Sequence, residues 1–132
     1  MVGIVVLGHG HMAKGLVDTA EMIAGPQKQV ASVSFTGDID TSDYKDQVIA
    51  CAGQVDSGEG VLFLVDLQGG TPCNMALLLS AESNSLVVTG VNIPMLVTVV
   101  LSRAGQDLEA LAEMARQAGI EGIQNVKLQM EE

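Results

Sequence analysis

A chain of 132 residues has room for one sizeable core and not for two. Nearly half of it is apolar (48%), yet it holds two Phe, one Tyr and no Trp, so the expected core is aliphatic and methionine-filled and the chain is not a disordered one. Sixteen acidic residues against six Lys and Arg leave a formal charge of −10, a field that repels DNA and RNA backbones and favours basic partners.

Gly3 to Leu7 is a continuous apolar run, which predicts a strand covered on both faces. No basic stretch precedes it, as a secretion signal would require. From Met12, apolar residues return at Leu16, Ala20 and Ile23, a helical period that Gly25-Pro26 ends. Val30 to Phe35 is the second expected strand. An acidic loop from Thr36 to Asp43 leads to a helix with Tyr44, Val48, Cys51, Ala52 and Val55 on one stripe. After Gly60 comes the strongest strand signal, Val61 to Val65. Thr71 is placed to cap the next helix, with Pro72 at its first position, where the missing N–H is harmless; that helix runs to about Ala81. Leu86 to Val91 is the fourth strand. Asn92-Ile93-Pro94 repeats the device of a turn followed by proline at a helix start, and helix follows over Met95 to Ala118, with a break and cap at Gly105-Gln106-Asp107. Ile123 to Gln129 is a candidate last strand. The apolar stretch Leu86 to Leu101 is interrupted by Gly90, Asn92 and Pro94 and falls short of a membrane span. Cys51 and Cys73 lack ligand or redox spacing and are expected as free thiols in a reducing compartment. The expected location is the cytoplasm.

Strands alternating with helices predict a doubly wound α/β fold with a mostly parallel four-stranded sheet and helices on both faces. In such a sheet ligands gather at the carboxyl ends of the strands. Three strand ends here carry polar residues: His9 within Gly8-His9-Gly10, Asp66 before Gly69-Gly70-Thr71-Pro72, and Asn92. The helices after Gly10 and Thr71 aim free N–H groups at the same edge, an anion site. A neutral imidazole nitrogen can accept a phosphoryl group; a carboxylate on the other nitrogen fixes the tautomer and stabilises developing positive charge. This assigns His9 as nucleophile, Asp66 as its orienting partner, and Gly10, Gly70 and Thr71 as the phosphate cradle.

Other chemistries fit less well. His11 completes a His-x-His triplet but has no third ligand within reach by sequence, so no metal is expected. Gly8-x-Gly10-x-x-Ala13 matches a dinucleotide fingerprint, but the second strand lacks the acidic residue that should close it; Asp38 comes late, in a loop. Neither a P-loop lysine nor a Gly-x-Ser-x-Gly elbow is present. The reading requires no cofactor.

His9-Gly10 with Ala13 and Leu16, Phe63-Leu64-Val65-Asp66 leading into Gly69-Gly70-Thr71-Pro72 and Asn74, and Gly90 to Leu96 occur in an order and at separations similar to enzyme IIA of the mannose-type bacterial phosphotransferase system. The resemblance covers nearly the whole chain. It implies one IIA domain over 1–132, a cytoplasmic phosphotransferase component that takes phosphate from the phosphocarrier HPr onto His9, with Asp66 as partner carboxylate. The group then passes to a sugar-specific IIB protein, here expected as a separate polypeptide. It also implies a homodimer in which a carboxy-terminal strand, here Ile123 to Gln129, crosses antiparallel to the edge of the other subunit's sheet. His11 departs from the large apolar or aromatic residue of some relatives, and no role is carried onto Leu67-Gln68. Two alternatives share the fold: a phosphorylation-switched regulatory domain, and the phosphoryl donor subunit of a dihydroxyacetone kinase.

Overall fold

The structure, a computed structural model, describes residues 1–131. Among them are four strands and five helices: β1 (Gly3–His9), α1 (Met12–Ala24), β2 (Val30–Phe35), α2 (Thr41–Val55), β3 (Val61–Val65), α3 (Gly70–Glu82), β4 (Ser85–Thr89), α4 (Ile93–Ser102) and α5 (Leu108–Glu121). The strands form one sheet in the order β2-β1-β3-β4, and every pairing is parallel. The expected α/β sheet with helices on both sides is therefore what forms.

Side chains of a strand point alternately to the two faces, and the two halves of the core follow that alternation. Ile4, Val6, Leu62 and Leu64 pack under α1, α4 and α5, together with Ala13, Leu96, Val99 and Leu111. Val5, Leu7, Phe63 and Val65 pack under α2 and α3, with Tyr44, Val48, Cys73 and Ala76. Burial on both faces explains why β1 and β3 read as unbroken apolar runs.

The chain leaves β1 toward β2 on one side and leaves β3 toward β4 on the other. The order thus reverses between β1 and β3, and the two strands open a crevice at their carboxyl ends. Leu7 pairs with Val65, so His9 and Asp66 emerge beside that crevice from neighbouring strands.

Arg103 holds the opposite, amino-terminal edge. It is the largest fully buried side chain among the described residues, at 1% exposure. Its guanidinium donates to the carbonyls of Val2 (3.2 Å), Gln29 (3.1 Å) and Lys28, tying the end of α4 to the starts of β1 and β2. A charged residue after an apolar helix reads as a surface cap in sequence; here the carbonyls of Val2, Lys28 and Gln29 draw it inward.

One expectation needs correction, and one segment lies outside the sheet of the single chain. Thr71 does not cap α3: the helix starts at Gly70 behind Gly69, and these glycines take φ of 82° and 96°, a left-handed pair that glycine favours. Ile123 to Gln129 forms no strand in the single chain and lies open, with Ile123, Val126 and Leu128 at least 75% exposed. An edge strand needs a ladder partner, and within one chain this segment has none among the described residues.

Candidate active site

His9 closes β1 and is half exposed (47%), whereas the Asp66 side chain is largely covered (10%). The carboxylate meets the histidine twice through Oδ2, accepting from the His9 amide at 2.9 Å and lying 2.7 Å from ring Nδ1. Its Oδ1 accepts from the Leu67 amide at 2.9 Å. Burial pushes the Asp66 carboxyl upward, but the hydrogen bonds from the His9 amide, the His9 ring and the Leu67 amide, with the charge on His9, outweigh it. The net position is below the ordinary carboxylate range. Asp66 is thus an anion at neutral pH, and an anion at Nδ1 holds the ring proton there. The lone pair is left on Nε2.

Nε2 faces the start of α3. A Cβ placed on Gly70 would stand 3.1 Å from Nε2 and 3.0 Å from Cε1, so only a glycine lets the backbone come so close without a shift. A Cβ on Gly8 would meet Met12 Cε at 2.6 Å, which that flexible side chain can yield, and Asp66 Oδ2 at an ordinary 3.5 Å.

The helix starts fall into two groups. Asp40 caps α2, Asn92 caps α4 and Asp107 caps α5, each side chain accepting a backbone N–H. α1 and α3, the helices that follow His9 and Asp66, have no side-chain cap and no acidic residue in the first turn. Their leading N–H groups and positive dipole ends remain available to an anion.

His9, Asp66 and Gly70 therefore come together as the sequence predicts, with Thr71 in the same first turn of α3. Gly10 contributes differently. Its amide already donates to the Phe35 carbonyl at 2.8 Å, so it shapes the turn at φ 60° and is not a free donor. Asn92 stands apart from this constellation in its bonding: Oδ1 accepts from the Met95 amide and Nδ2 donates to the Gly119 carbonyl, joining α4 to α5. His11 occupies the cap position of α1 without a capping bond. Among the described residues, no three His, Cys, Asp or Glu side chains gather closely enough to hold a metal ion. No helix there is long and apolar enough to cross a membrane.

Sequence reasoning did not pick out Phe35, whose ring touches the imidazole edge-on. Its position opposite His9 depends on the β1–β2 register; the one clue was that both runs end at a turn.

The family model described as PTS system fructose IIA component matches residues 3–116. The PTS system mannose-specific EIIAB component of Escherichia coli (strain K12) is 34% identical over 128 residues, which cover 96% of this chain and 40% of that protein. The chain thus spans well under half the length of that relative. The PTS system fructose-specific EIIA component of Bacillus subtilis (strain 168) is 27% identical over 135 residues, covering 96% of this chain and 92% of that protein. Among solved structures, the mannose/sorbose specific IIA subunit from Enterococcus faecalis superposes with a TM-score of 0.90 at 26% identity, covering 99% of this chain and 98% of that one. The EIIA component from Streptococcus agalactiae gives 0.87 at 29% identity, covering 95% and 97%. With a fold, a matched span and relatives that all agree, the chain belongs to the PTS system fructose IIA component family, the mannose-class IIA components of the sugar-transporting phosphotransferase system.

Proposed function

We propose that this chain is a cytoplasmic phosphoryl carrier of sugar uptake, a single IIA domain that receives phosphate from phospho-HPr on His9 and passes it to a IIB protein. One observation carries the reading: Asp66 engages Nδ1 at 2.7 Å and leaves Nε2 free beside Gly70 and the open start of α3. In the proposed step the Nε2 lone pair attacks phosphorus, a P–N bond forms at His9, and the bond from phosphorus to the donor's histidine breaks. The Nδ1 proton stays in its bond to Asp66, whose charge offsets the positive charge growing on the ring. Amides of Gly70 and Thr71, at the dipole end of α3, receive the phosphoryl oxygens; Gly10 supports them through the shape of its turn. Transfer to IIB reverses these bond changes.

The acidic surface fits a basic donor. Asp38, Asp40, Asp43 and Asp46 line one shallow concavity that begins just past Phe35, beside the His9 end of the sheet. Opposite charge on a docking protein would speed encounter. We further propose that the open segment Ile123 to Gln129 pairs with a second copy to form the homodimer.

The test is intact mass after incubation with phosphoenolpyruvate, enzyme I and HPr. Wild type and His11→Ala are expected to gain one phosphoryl group and His9→Ala none. Absence of any gain with active HPr, or a gain surviving in His9→Ala, overturns the proposal. Subsequent addition of a cognate IIB and its membrane components is expected to discharge the phosphoprotein and yield sugar phosphate.

A further inference from the structure

Phe35, the last residue of β2, is the register partner of His9. The pairing is fastened beyond the ladder by the bond from the Gly10 amide to the Phe35 carbonyl at 2.8 Å. Register partners in a sheet send their side chains to the same face. The phenyl and imidazole rings accordingly meet with centroids 6.0 Å apart and planes at 85°.

Phe35 is itself braced. The ring of Tyr44 lies 5.1 Å away at 69°, and Tyr44 is fully buried on α2 with its hydroxyl donating to the Val33 carbonyl at 3.4 Å. The chain has three aromatic residues in all, two Phe and one Tyr. Two of the three thus form a column that rises from the core and ends on the imidazole. The remaining one, Phe63, is a core residue of β3.

That column supplies something the carboxylate cannot. A hydrogen bond at Nδ1 is a pivot: it fixes one nitrogen and leaves the ring able to tilt, which would swing Nε2 away from the start of α3. Gly70 lies on the Cε1 and Nε2 side without a Cβ to press there, and a flat, rigid ring against another edge bounds the motion. Edge-to-face aromatic pairs have a preferred geometry that a branched aliphatic side chain does not reproduce. Transfer chemistry is sensitive to such tilts, since a misplacement of about 1 Å can cost roughly 10²-fold in rate.

We propose that Phe35 is a positioning residue for His9, its ring braced by Tyr44 and holding the imidazole in the pose that keeps Nδ1 on Asp66 and Nε2 facing Gly70. The role rests on the phosphocarrier reading of His9 and deepens it by naming the group that restrains the ring. Phe35 acts through His9, and no contact of its own with phosphate is required.

The experiment uses the 15N-histidine-labelled chain carrying His11→Gln, which leaves His9 as the one imidazole of the sequence. The tautomer is read by NMR at about pH 8, above the ordinary imidazole pKa of ~6.5, and phosphoryl transfer from phospho-HPr is timed on the same samples. With Phe35 present, one tautomer protonated at Nδ1 is expected. Phe35→Leu should give mixed tautomers and transfer slowed about 10-fold, within the range expected for misplaced reacting groups, with the circular dichroism spectrum retained. Phe35→Tyr should restore both readouts; Phe35→Met replaces the leucine protein if that one does not fold.

A folded leucine or methionine variant with an unchanged tautomer and rate overturns the proposal. So does slow transfer with an unchanged tautomer, which would make Phe35 a docking residue. The tautomer readout needs no phosphate, so the two ideas fail separately. A shifted tautomer in a protein whose parent never accepts phosphate supports the positioning role and removes the carrier reading.

Discussion

Gly70 and Asp66 act on one imidazole from its two nitrogens. At Gly70 the backbone is left-handed (φ 82°) and a Cβ would press against Cε1 and Nε2 at 3.0 and 3.1 Å. If His9 carries phosphate as proposed, Gly70→Ala is expected to keep the fold while slowing transfer from phospho-HPr at least about 10-fold, because strain and contact both fall at Nε2; stopped-time phosphorylation assays with a circular dichroism control check it. At Asp66 the sign of the pH effect follows from its lowered carboxyl pKa. Such a group adds stability above its unfolded pKa and loses it as pH falls through the folded value. Urea midpoints of wild type and Asp66→Asn should differ at neutral pH, and the gap should close below about pH 4, where an unfolded aspartate takes up its proton. His9 and Asp66 were legible in the sequence because each ends an apolar run and parallel strands bring such ends together. Phe35 was not, since its place beside His9 depends on cross-strand register. Asn92 shared the strand-end signature of the other two, yet its amide is taken up by Met95 and Gly119.

At the level of elements, the helices that guard the crevice are those left uncapped, and the others each start from an Asp or Asn cap. The caps of α4 and α5 were visible as Asn92 before a proline and Asp107 after a glycine. The start of α3 was misplaced because two left-handed glycines in succession outweighed the propensity of Thr71 as a cap. The far edge of the sheet depends on Arg103. Removing its guanidinium in Arg103→Leu takes this donor from the carbonyls of Val2, Lys28 and Gln29, of which Gln29 keeps the Ile4 amide, and unmet buried polar groups cost about 1–3 kcal/mol each. A loss of about 3 kcal/mol in urea unfolding is expected. The His9 tautomer of the folded fraction should stay unchanged, since the two sites lie at opposite ends of β1.

Across the whole molecule, the carboxy-terminal segment presents Ile123, Val126, Leu128 and Met130 to solvent in the single chain. Apolar residues spaced along an extended segment are what an edge strand offers a partner sheet. The sequence carried that apolar spacing, and within the single chain the segment finds no ladder among the described residues. Truncation after Gly122 is expected to leave the circular dichroism spectrum in place and to convert a dimer to a monomer in sedimentation equilibrium. A truncated protein that still sediments as a dimer would place the interface elsewhere. The same truncation should spare phosphorylation of His9, whose immediate partners all lie before residue 72.

The buried Tyr44 has a consequence for optics. With no Trp and a single Tyr, the near-ultraviolet emission of this chain comes from one phenol, and that phenol is one ring removed from His9. Burial first, then the charges of Asp66 and Cys51, push its ionisation well above the ordinary tyrosine value. A tyrosine with a raised folded pKa keeps its full stabilising effect below the unfolded pKa of ~10 and loses it as pH rises toward the folded one. Tyrosinate absorbance should therefore appear together with unfolding and not before it. Below that pH the molecule carries a native, label-free fluorophore one ring away from the His9 imidazole, and a change of charge on His9 should register as a change in tyrosine emission.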